Sequence, residues 1–332
     1  MKKYLTALLC AMLAVVFGLG FAACSDGEKE SISVYMPDGA PALAAAYLMA
    51  GETSFDREVN YEVVDPSLIS AYVTGENPKA DVCILPVNLA SKLLGLGEKY
   101  KMLGTVTHGN LFLLKSEGEN VTRKNLSSLK GKTVGIINIA AVPGLTFKII
   151  LKDNGLEYNE IGNGGEVDAE KVNLKAVTAE ALTGCDYYVV PEPAASTKVN
   201  NTALSFAGSL QELYGESGGY PQAVLVAKSS LIEKASGFIE KFVAAVTENS
   251  SWLLKDETMP EAIISAIEGR LTQGMSPTFT AANLTKGVIE NCAISFVKSS
   301  LCKAEVNSFI SKLISVNPSA ASTVSDAFYY TK

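Results

Sequence analysis

Two stretches of the sequence repeat one pattern, and this repeat limits the fold more than any other feature. Residues 69–91 read ISAYVTGENPKADVCILPVNLAS, and residues 179–197 read AEALTGCDYYVVPEPAAST. Each has a helical segment, a Thr-Gly turn, an aspartate, four apolar residues and a proline. Four apolar residues between turn signals are typical of a strand buried on both faces of a parallel sheet. Unless the similarity is due to chance, the repeat predicts one βαβ element in each of two lobes, with loops 86–88 and 191–193 opposite each other.

A second strand-loop-helix unit lies in the segment LKGKTVGIINIAAVPGLTFKIIL, residues 129–151. An apolar run at 134–137 predicts a strand, and Pro143-Gly144 opens an amphipathic helix. Loops at the carboxyl ends of parallel strands line ligand-binding crevices, and the first turn of a helix has unpaired N–H groups. The alternative is an ordinary βα unit within a core. The ligand-facing interpretation predicts contacts from Ala140, Ala141, Val142, Pro143 and Gly144.

The first 30 residues indicate export and attachment to a membrane. Lys2 and Lys3 precede an apolar run at 5–20, which is too short for a membrane-spanning helix but typical of a secretion signal. The run ends in FAAC, which resembles a bacterial lipobox with Cys24 as the acylated residue. We therefore predict a signal peptide at 1–23, a lipidated tether at 24–30 and an anchored protein on the extracytoplasmic face of the cell membrane. A plain signal peptide with an incidental Cys24 is the alternative.

Size and charge exclude several classes of function. Removal of residues 1–23 leaves 309 of the 332 residues, enough for two lobes. The formal charge is −7 and the basic residues are scattered, which argues against nucleic-acid binding. One histidine and scattered cysteines give no zinc-ligand spacing, so we expect neither a metal nor a cofactor. Cys292 and Cys302 either form a disulfide across a turn or are two buried thiols.

The motif GESGG at 215–219 fits the G-x-S-x-G pattern of serine hydrolases but lies in the wrong context. A nucleophile elbow needs a strand before the motif and a helix after it. Here the helix-like SLQELY precedes it and the strand-like QAVLVA follows. The only histidine, His108, also lies upstream of the serine. We therefore predict no catalytic residues and a protein that is not an enzyme.

The order of predicted elements suggests two lobes joined by crossings of the chain. We expect lobe 1 at 31–107 and 220–332, and lobe 2 at 108–219. The predicted helices, placed by hydrophobic period and capping residues, include Ala42–Ala50, Leu231–Lys255, Pro260–Gly269, Ala281–Asn291 and Ala304–Ile314.

Few residues near the predicted cleft suit an anionic ligand. The chain has three arginines, at 57, 123 and 270, and none falls in a loop assigned to the cleft. Because arginine favours bidentate recognition of carboxylates and phosphates, an anion would have to rely on lysine or on helix starts. Glu192 either faces the cleft, where it favours a ligand with N–H groups or positive charge, or caps its own helix. His108 is either a hinge residue or a ligand contact.

Taken in order, the segments LKGKTVGI, EALTGCDYYVVPEP and YPQAVLVAKSSLIEKASGFIEKFVAAV resemble the substrate-binding proteins of ABC importers in the nitrate, sulfonate, taurine and thiamine-precursor group. The resemblance covers nearly all of residues 31–315. It implies a type II periplasmic-binding fold, in which two α/β lobes, each a mainly parallel sheet flanked by helices, close around a small organic or oxyanion ligand. It also implies an ABC permease and ATPase as partners, and we expect a monomer.

The resemblance also implies a set of ligand loops. Carried over by position, they contain Asp38, Gly39, Ala40, Asn88, Ala140–Gly144, Glu192, Tyr220 and Gln222. This sequence departs from the group at 138–141, where NIAA replaces the serine-rich turn often found, and this departure weakens the case for anion recognition. Two other functions stay open: an enzyme on the same fold, as in menaquinone biosynthesis, and a sensory or adhesive lipoprotein.

Overall fold

The computed structural model describes residues 31–162 and 164–331, and its strands form two six-stranded sheets. In chain order the strands are β1 Ile32–Pro37, β2 Val59–Val64, β3 Val82–Pro86, β4 Tyr100–Thr107, β5 Leu111–Lys115, β6 Thr133–Ile137, β7 Tyr158–Glu160, β8 Val172–Val177, β9 Tyr187–Pro191, β10 Ser205–Ser209, β11 Ala223–Lys228 and β12 Ile294–Lys298. The first sheet has the order β12-β4-β11-β3-β1-β2, and the second has the order β10-β5-β9-β6-β8-β7.

Helices flank both sheets. They are α1 Ala40–Leu43, α2 Ala46–Met49, α3 Val87–Leu94, α4 Val142–Asp153, α5 Ala194–Asn201, α6 Leu210–Tyr214, α7 Ser229–Lys234, α8 Ser236–Leu254, α9 Pro260–Glu268, α10 Lys286–Asn291 and α11 Ser299–Val316. In the first sheet, β1 pairs in parallel with β2 and β3, whereas β11 runs antiparallel between β3 and β4. In the second, β7, β8, β6 and β9 are parallel, and β5 is antiparallel to β9. Most strands of each sheet therefore run in one direction, as the resemblance implied.

The structure uses the two repeated stretches in the same way. Asp81 accepts a hydrogen bond from Ser33 N at 2.9 Å, and this contact joins β3 to its parallel neighbour β1. Asp186 accepts one from Thr133 N at 2.8 Å, which joins β9 to β6. The equivalence stops upstream of the aspartates, because residues 69–72 form a short 3₁₀ helix whereas 179–184 form none.

One helix connects the cores that lie against the two sheets. α11 buries Val306, Phe309, Ile310 and Leu313 at helical spacing, and it packs on both β4 and α4. Phe309 stacks on Tyr220 with the ring centroids 5.6 Å apart. The apolar interior is therefore continuous from one sheet to the other along this helix.

Several predicted helices differ in their limits. The segment 42–50 divides into α1 and α2, and 231–255 divides into α7 and α8 at Ala235, where ψ is 49°. The predicted helix at 281–291 begins only at Lys286, and the one at 304–314 extends over 299–316. Hydrophobic period cannot reveal the divisions, because the segments on both sides bury apolar residues in the same core. The short strands β7 and β12 were not predicted.

Two sequence-based predictions depend on segments near the chain ends and on cysteines. The signal peptide, Cys24 and the tether lie outside the described residues. Among residues 31–162 and 164–331, no helix combines the length and the apolarity needed to cross a bilayer. Cys292 and Cys302 are free and buried, which confirms the alternative of two buried thiols.

Candidate functional site

The carboxyl ends of the parallel strands in the first sheet lie at one edge. Pro86, the last residue of β3, pairs with Ala223, and Ala223 pairs with Thr107, the last residue of β4. β1, which is parallel to β3, ends in the same register at Pro37. The residues that follow these strands therefore line one edge of the first sheet.

The second sheet presents the same kind of edge. Ile137 and Val177, the last residues of β6 and β8, pair with each other, and β9 ends beside them at Pro191. Pro191 pairs with Leu111, the first residue of β5.

The chain crosses directly between the two edges. Only residues 108–110 separate Thr107 from Leu111, and four residue steps span at most ~14 Å. The two edges therefore adjoin. In open α/β sheets, ligands bind outside the carboxyl ends of the strands, so this is the candidate binding cleft.

Asn110 links the second crossing to the end of β9. Its side-chain oxygen accepts a hydrogen bond from Gln222 Nε2 at 2.9 Å, and its carbonyl accepts one from Glu192 N at 2.9 Å. Asn110 is buried. Our sequence analysis treated it only as part of a crossing turn, and its place in the polar THGN turn between two apolar runs is the signal that could have identified it.

Glu192 joins its own helix to α10, which lies beside the first sheet. Its carboxylate accepts hydrogen bonds from Ser196 Oγ at 2.7 Å and Ser196 N at 3.1 Å, in the first turn of α5. It also accepts one from Asn291 Nδ2 at 2.7 Å. Glu192 is 3% exposed. It therefore caps its helix, as one interpretation of the sequence held, and it also connects elements flanking the two sheets.

His108 lies within the first crossing. Its Nε2 is 3.2 Å from Thr105 Oγ1, its backbone N–H donates to the Ala293 carbonyl and its own carbonyl accepts from Tyr220 N. Burial lowers the pKa of the imidazole, and a hydrogen bond with the Ser295 backbone opposes that shift only in part. The ring is therefore neutral near pH 7. These contacts suit a hinge residue, and a ligand contact stays a prediction.

Tyr220 and Gln222 occupy the second crossing with different exposure. Tyr220 is fully buried, stacks on Phe309, and burial raises the pKa of its hydroxyl well above the usual range. Gln222 N donates to the Thr107 carbonyl at 3.0 Å. The side-chain oxygens Gln222 Oε1 and Thr107 Oγ1 are buried without a hydrogen-bond partner. These two acceptors are available to a bound molecule at the crossing.

The loop after β1 is held by its own carboxylate. Asp38 accepts hydrogen bonds from Gly39 N at 2.7 Å and from Thr278 N at 2.8 Å. Gly39 has φ of +93°, a conformation that favours glycine because it has no Cβ. Ala40 follows as the buried first residue of α1. This loop lies at the predicted edge and is bonded to the 278 segment.

The loop after β6 is open to solvent, whereas the helix after it is closely packed. Ala140 and Ala141 are exposed, Val142 is buried and Pro143 is half-buried. At Gly144, an added Cβ would lie 1.9 Å from the Ile139 carbonyl oxygen. Glycine is therefore required here by the close approach of two backbone segments. The exposed residues of this loop are available to a ligand.

Asn88 is turned away from the other predicted residues. It is the second residue of α3, and its Nδ2 donates to the Ala320 carbonyl at 3.4 Å. The structure thus gathers His108, Glu192, Tyr220 and Gln222 around Asn110, whereas Asn88 contacts the C-terminal segment. Within the described chain, no group of three or more His, Cys, Asp or Glu side chains is placed to hold a metal ion.

Comparison with solved structures identifies the architecture. An ABC transporter from Parabacteroides distasonis aligns with a TM-score of 0.68 and 20% identity, over 92% of this chain and 100% of that one. The periplasmic aliphatic sulphonate binding protein SsuA from Escherichia coli aligns with a TM-score of 0.61 and 14% identity, over 91% and 92%. The ligand-binding component of an ABC-type import system from Staphylococcus aureus gives 0.55 and 14%, over 91% and 97%.

The fold is that of the type II periplasmic-binding proteins. The predicted resemblance to binding proteins of ABC importers is therefore confirmed at the level of the fold. Comparisons with protein-family models and with curated sequences found no match to this chain.

Proposed function

We propose that this protein is an extracytoplasmic solute-binding protein of an ABC importer, which captures a small molecule between two lobes and presents it to a permease coupled to an ATPase. The observation that carries this proposal is the meeting of strand ends at one crossing. Each sheet places the loops after its parallel strands at the same edge, and Thr107 to Leu111 joins the two edges. Two such edges form a cleft that can enclose a small molecule.

The structural neighbours support the transport function. Those described above are an ABC transporter, a sulphonate-binding protein and the ligand-binding component of an import system. All three are transport proteins rather than enzymes. The described site offers no metal cluster, and its buried histidine is neutral and bonded within the crossing.

We take the lobes to be 31–107 with 220–332, and 108–219, with hinge motion at 107–110 and 214–222. Three connections would change or hold during this motion: the two crossings and α11. Lys312 of α11 forms ion pairs with Asp153 at 3.0 Å and Glu216 at 3.5 Å. The Glu192 to Asn291 hydrogen bond would break when the lobes separate, because it joins elements assigned to different lobes.

The proposed ligand contacts are the exposed or edge-lining residues of the loops. They are Asp38, Gly39, Ala40, His108, Ala140, Ala141, Val142, Pro143, Gly144, Glu192, Tyr220 and Gln222, to which we add Asn110. Asn88 would contribute only after a change in the C-terminal segment that it now contacts.

We further propose that acylation of Cys24 anchors the protein to the cell membrane on its extracytoplasmic face. This part rests on the FAAC sequence after the apolar run. Mass spectrometry of the membrane-extracted protein would detect the acyl groups, and Cys24→Ala should release an unacylated chain.

A thermal-shift screen of residues 25–332 tests the binding function. The panel contains sulfonates, oxyanions, pyrimidines, amines and amino acids, and the protein is refolded first to remove any retained ligand. A ligand at a hundred times its dissociation constant stabilises the folded protein by about 2.7 kcal/mol, which raises Tm by several degrees. Failure of every class to raise Tm would contradict the proposal.

Pro143→Asp tests the location of the site. It places a carboxylate in the first turn of α4 beside the exposed loop, where a helix tolerates acidic residues. Pro260→Asp is the matched control, because Pro260 begins α9. We expect the first variant to weaken binding at least tenfold and the second to leave it unchanged. Equal affinities for both variants and the unaltered protein would exclude the 140–144 loop from the site.

A further inference from the structure

The residues that follow the strands into the cleft carry carboxylates but no cations. The segments are 38–40, 65–67, 87–88, 108–110, 138–141, 178–180, 192–193 and 220–222. They contain Asp38, Asp65, Glu180 and Glu192 and neither lysine nor arginine. The one nearby lysine contact in this group is Lys198, whose Nζ donates to the Glu180 carbonyl at 3.5 Å. The potential at the cleft is therefore negative, which favours cations and opposes anions.

Helix N-termini bind anions in many proteins, but here their donors already have partners within the chain. In α5, Ser196 N donates to the Glu192 carboxylate. In α3, Val87 N donates to the Gln222 carbonyl at 3.0 Å. At the start of α1, Gly39 N donates to the Asp38 carboxylate. Two of these three helix starts thus hold an internal carboxylate where an anionic ligand would bind.

The remaining helix start at the cleft is that of α4, and its own loop obstructs it. Pro143 has no N–H, and Leu145 N already donates to the Ala141 carbonyl at 3.0 Å. The Ile139 carbonyl oxygen lies against the Cα of Gly144. An anion approaching this turn would meet a carbonyl oxygen of like partial charge.

The unpartnered groups at the crossing are acceptors or can act as acceptors. Gln222 Oε1 can only accept a hydrogen bond, because the Nε2 of the same amide donates to Asn110. Thr107 is 1% exposed, and its hydroxyl has no partner. A buried acceptor without a partner is unfavourable, and an N–H group of a ligand would relieve that.

From these four observations, we infer that the cleft selects a small ligand that carries N–H donors, either an ammonium or a neutral amide or amine, and rejects oxyanions. The inference rests on the proposed function, since it assigns the ligand class of the same cleft. It separates this protein from the sulphonate-binding neighbour, despite the shared fold.

Matched probes test the ligand class. Propylammonium, 1,4-diaminobutane, guanidinium and propionamide are compared with propanesulfonate, sulfate and nitrate by thermal shift and titration calorimetry on residues 25–332. We expect at least one N–H donor to raise Tm and the oxyanions to leave it unchanged. A shift with oxyanions alone would overturn this inference and leave the receptor function standing. No shift with any probe would overturn the inference, and the broader screen then decides the receptor function separately.

Charge-neutral variants test the cause of the selection with whichever N–H donor binds. Glu192→Gln keeps the size of the side chain and removes its charge, and Asp65→Asn does the same at an exposed edge position that does not depend on core packing. We expect Kd for the donor to rise about tenfold or more for Glu192→Gln, since hydrogen bonds to charged groups are worth that much, and severalfold for Asp65→Asn.

Glu233→Gln is the control, because Glu233 is exposed on α7, after the end of β11 that lies away from the cleft. Circular dichroism and Tm check that each variant is folded. An unchanged Kd in both Glu192→Gln and Asp65→Asn would overturn the assignment of these carboxylates to ligand selection.

Discussion

Substitution of Gly144 by alanine tests the packing of the candidate cleft loop. Gly144 lies in the first turn of α4, where alanine is normally the better helix former by ~1 kcal/mol. The added Cβ would lie 1.9 Å from the Ile139 carbonyl oxygen and 2.5 Å from the Ile139 carbonyl carbon. Because both are backbone atoms, no side-chain rotation can relieve the contact, and the loop must move.

The two effects oppose each other, and the steric effect is larger. Overpacking that forces a backbone shift costs about 1–3 kcal/mol. After the gain in helix propensity, we expect Gly144→Ala to reduce the free energy of unfolding by up to ~2 kcal/mol. In proteins of 150–250 residues, 1 kcal/mol shifts Tm by about 2–4 °C, so a loss of several degrees is expected for residues 25–332.

Gly237→Ala provides the matched control in thermal unfolding followed by circular dichroism. Gly237 is the second residue of α8, and an added Cβ meets no atom within 4 Å. We expect Tm to stay the same or to rise. If Gly144→Ala were as stable as the unaltered protein, the close approach of Ile139 to α4 would be refuted as a constraint on the loop.

Three further predictions concern the repeat, the buried histidine and the thiols. Asp81→Asn should reduce the free energy of unfolding by about 1–2 kcal/mol and Asp186→Asn by less than about 1 kcal/mol, because the first aspartate pairs with a lysine at 2.8 Å and the second at 3.7 Å in a more exposed position; equal losses in urea unfolding would contradict this. Since burial lowers the pKa of His108 below 6.5, the unfolded chain binds more protons as pH falls through 6.5, so stability should decrease there and His108→Gln should flatten that dependence; an unchanged pH profile would contradict it. Alkylation of unreduced, denatured residues 25–332 should label Cys292 and Cys302 as free thiols, and a mass showing two unlabelled cysteines would contradict the free state.

Sequence patterns identified most strands because those signals are local. A run of four apolar residues between turn signals needs no knowledge of distant residues, and β3 and β9 lie where the repeat places them. The fold followed from the order of such units. Divided helices were missed, since Ala235 has no proline or glycine character to mark the break.

The candidate site could be predicted only as loops, and its internal contacts could not. Loops after strands are recognisable by sequence, so Asp38, 140–144 and Glu192 were found. Asn110, by contrast, has importance only through Gln222, which is 112 residues away in the chain. Such a pair leaves no local signal in one sequence.

The sequence by itself determined the class of the fold, the two-lobed arrangement and the scarcity of cations near the cleft, because each depends on residue type and short-range order. Tertiary structure alone decided that Glu192 bonds to Asn291 and that the helix starts at the cleft are occupied by the chain's own carboxylates and carbonyls. The physical reason is that hydrogen bonds depend on distances of about 3 Å between groups that chain packing brings together.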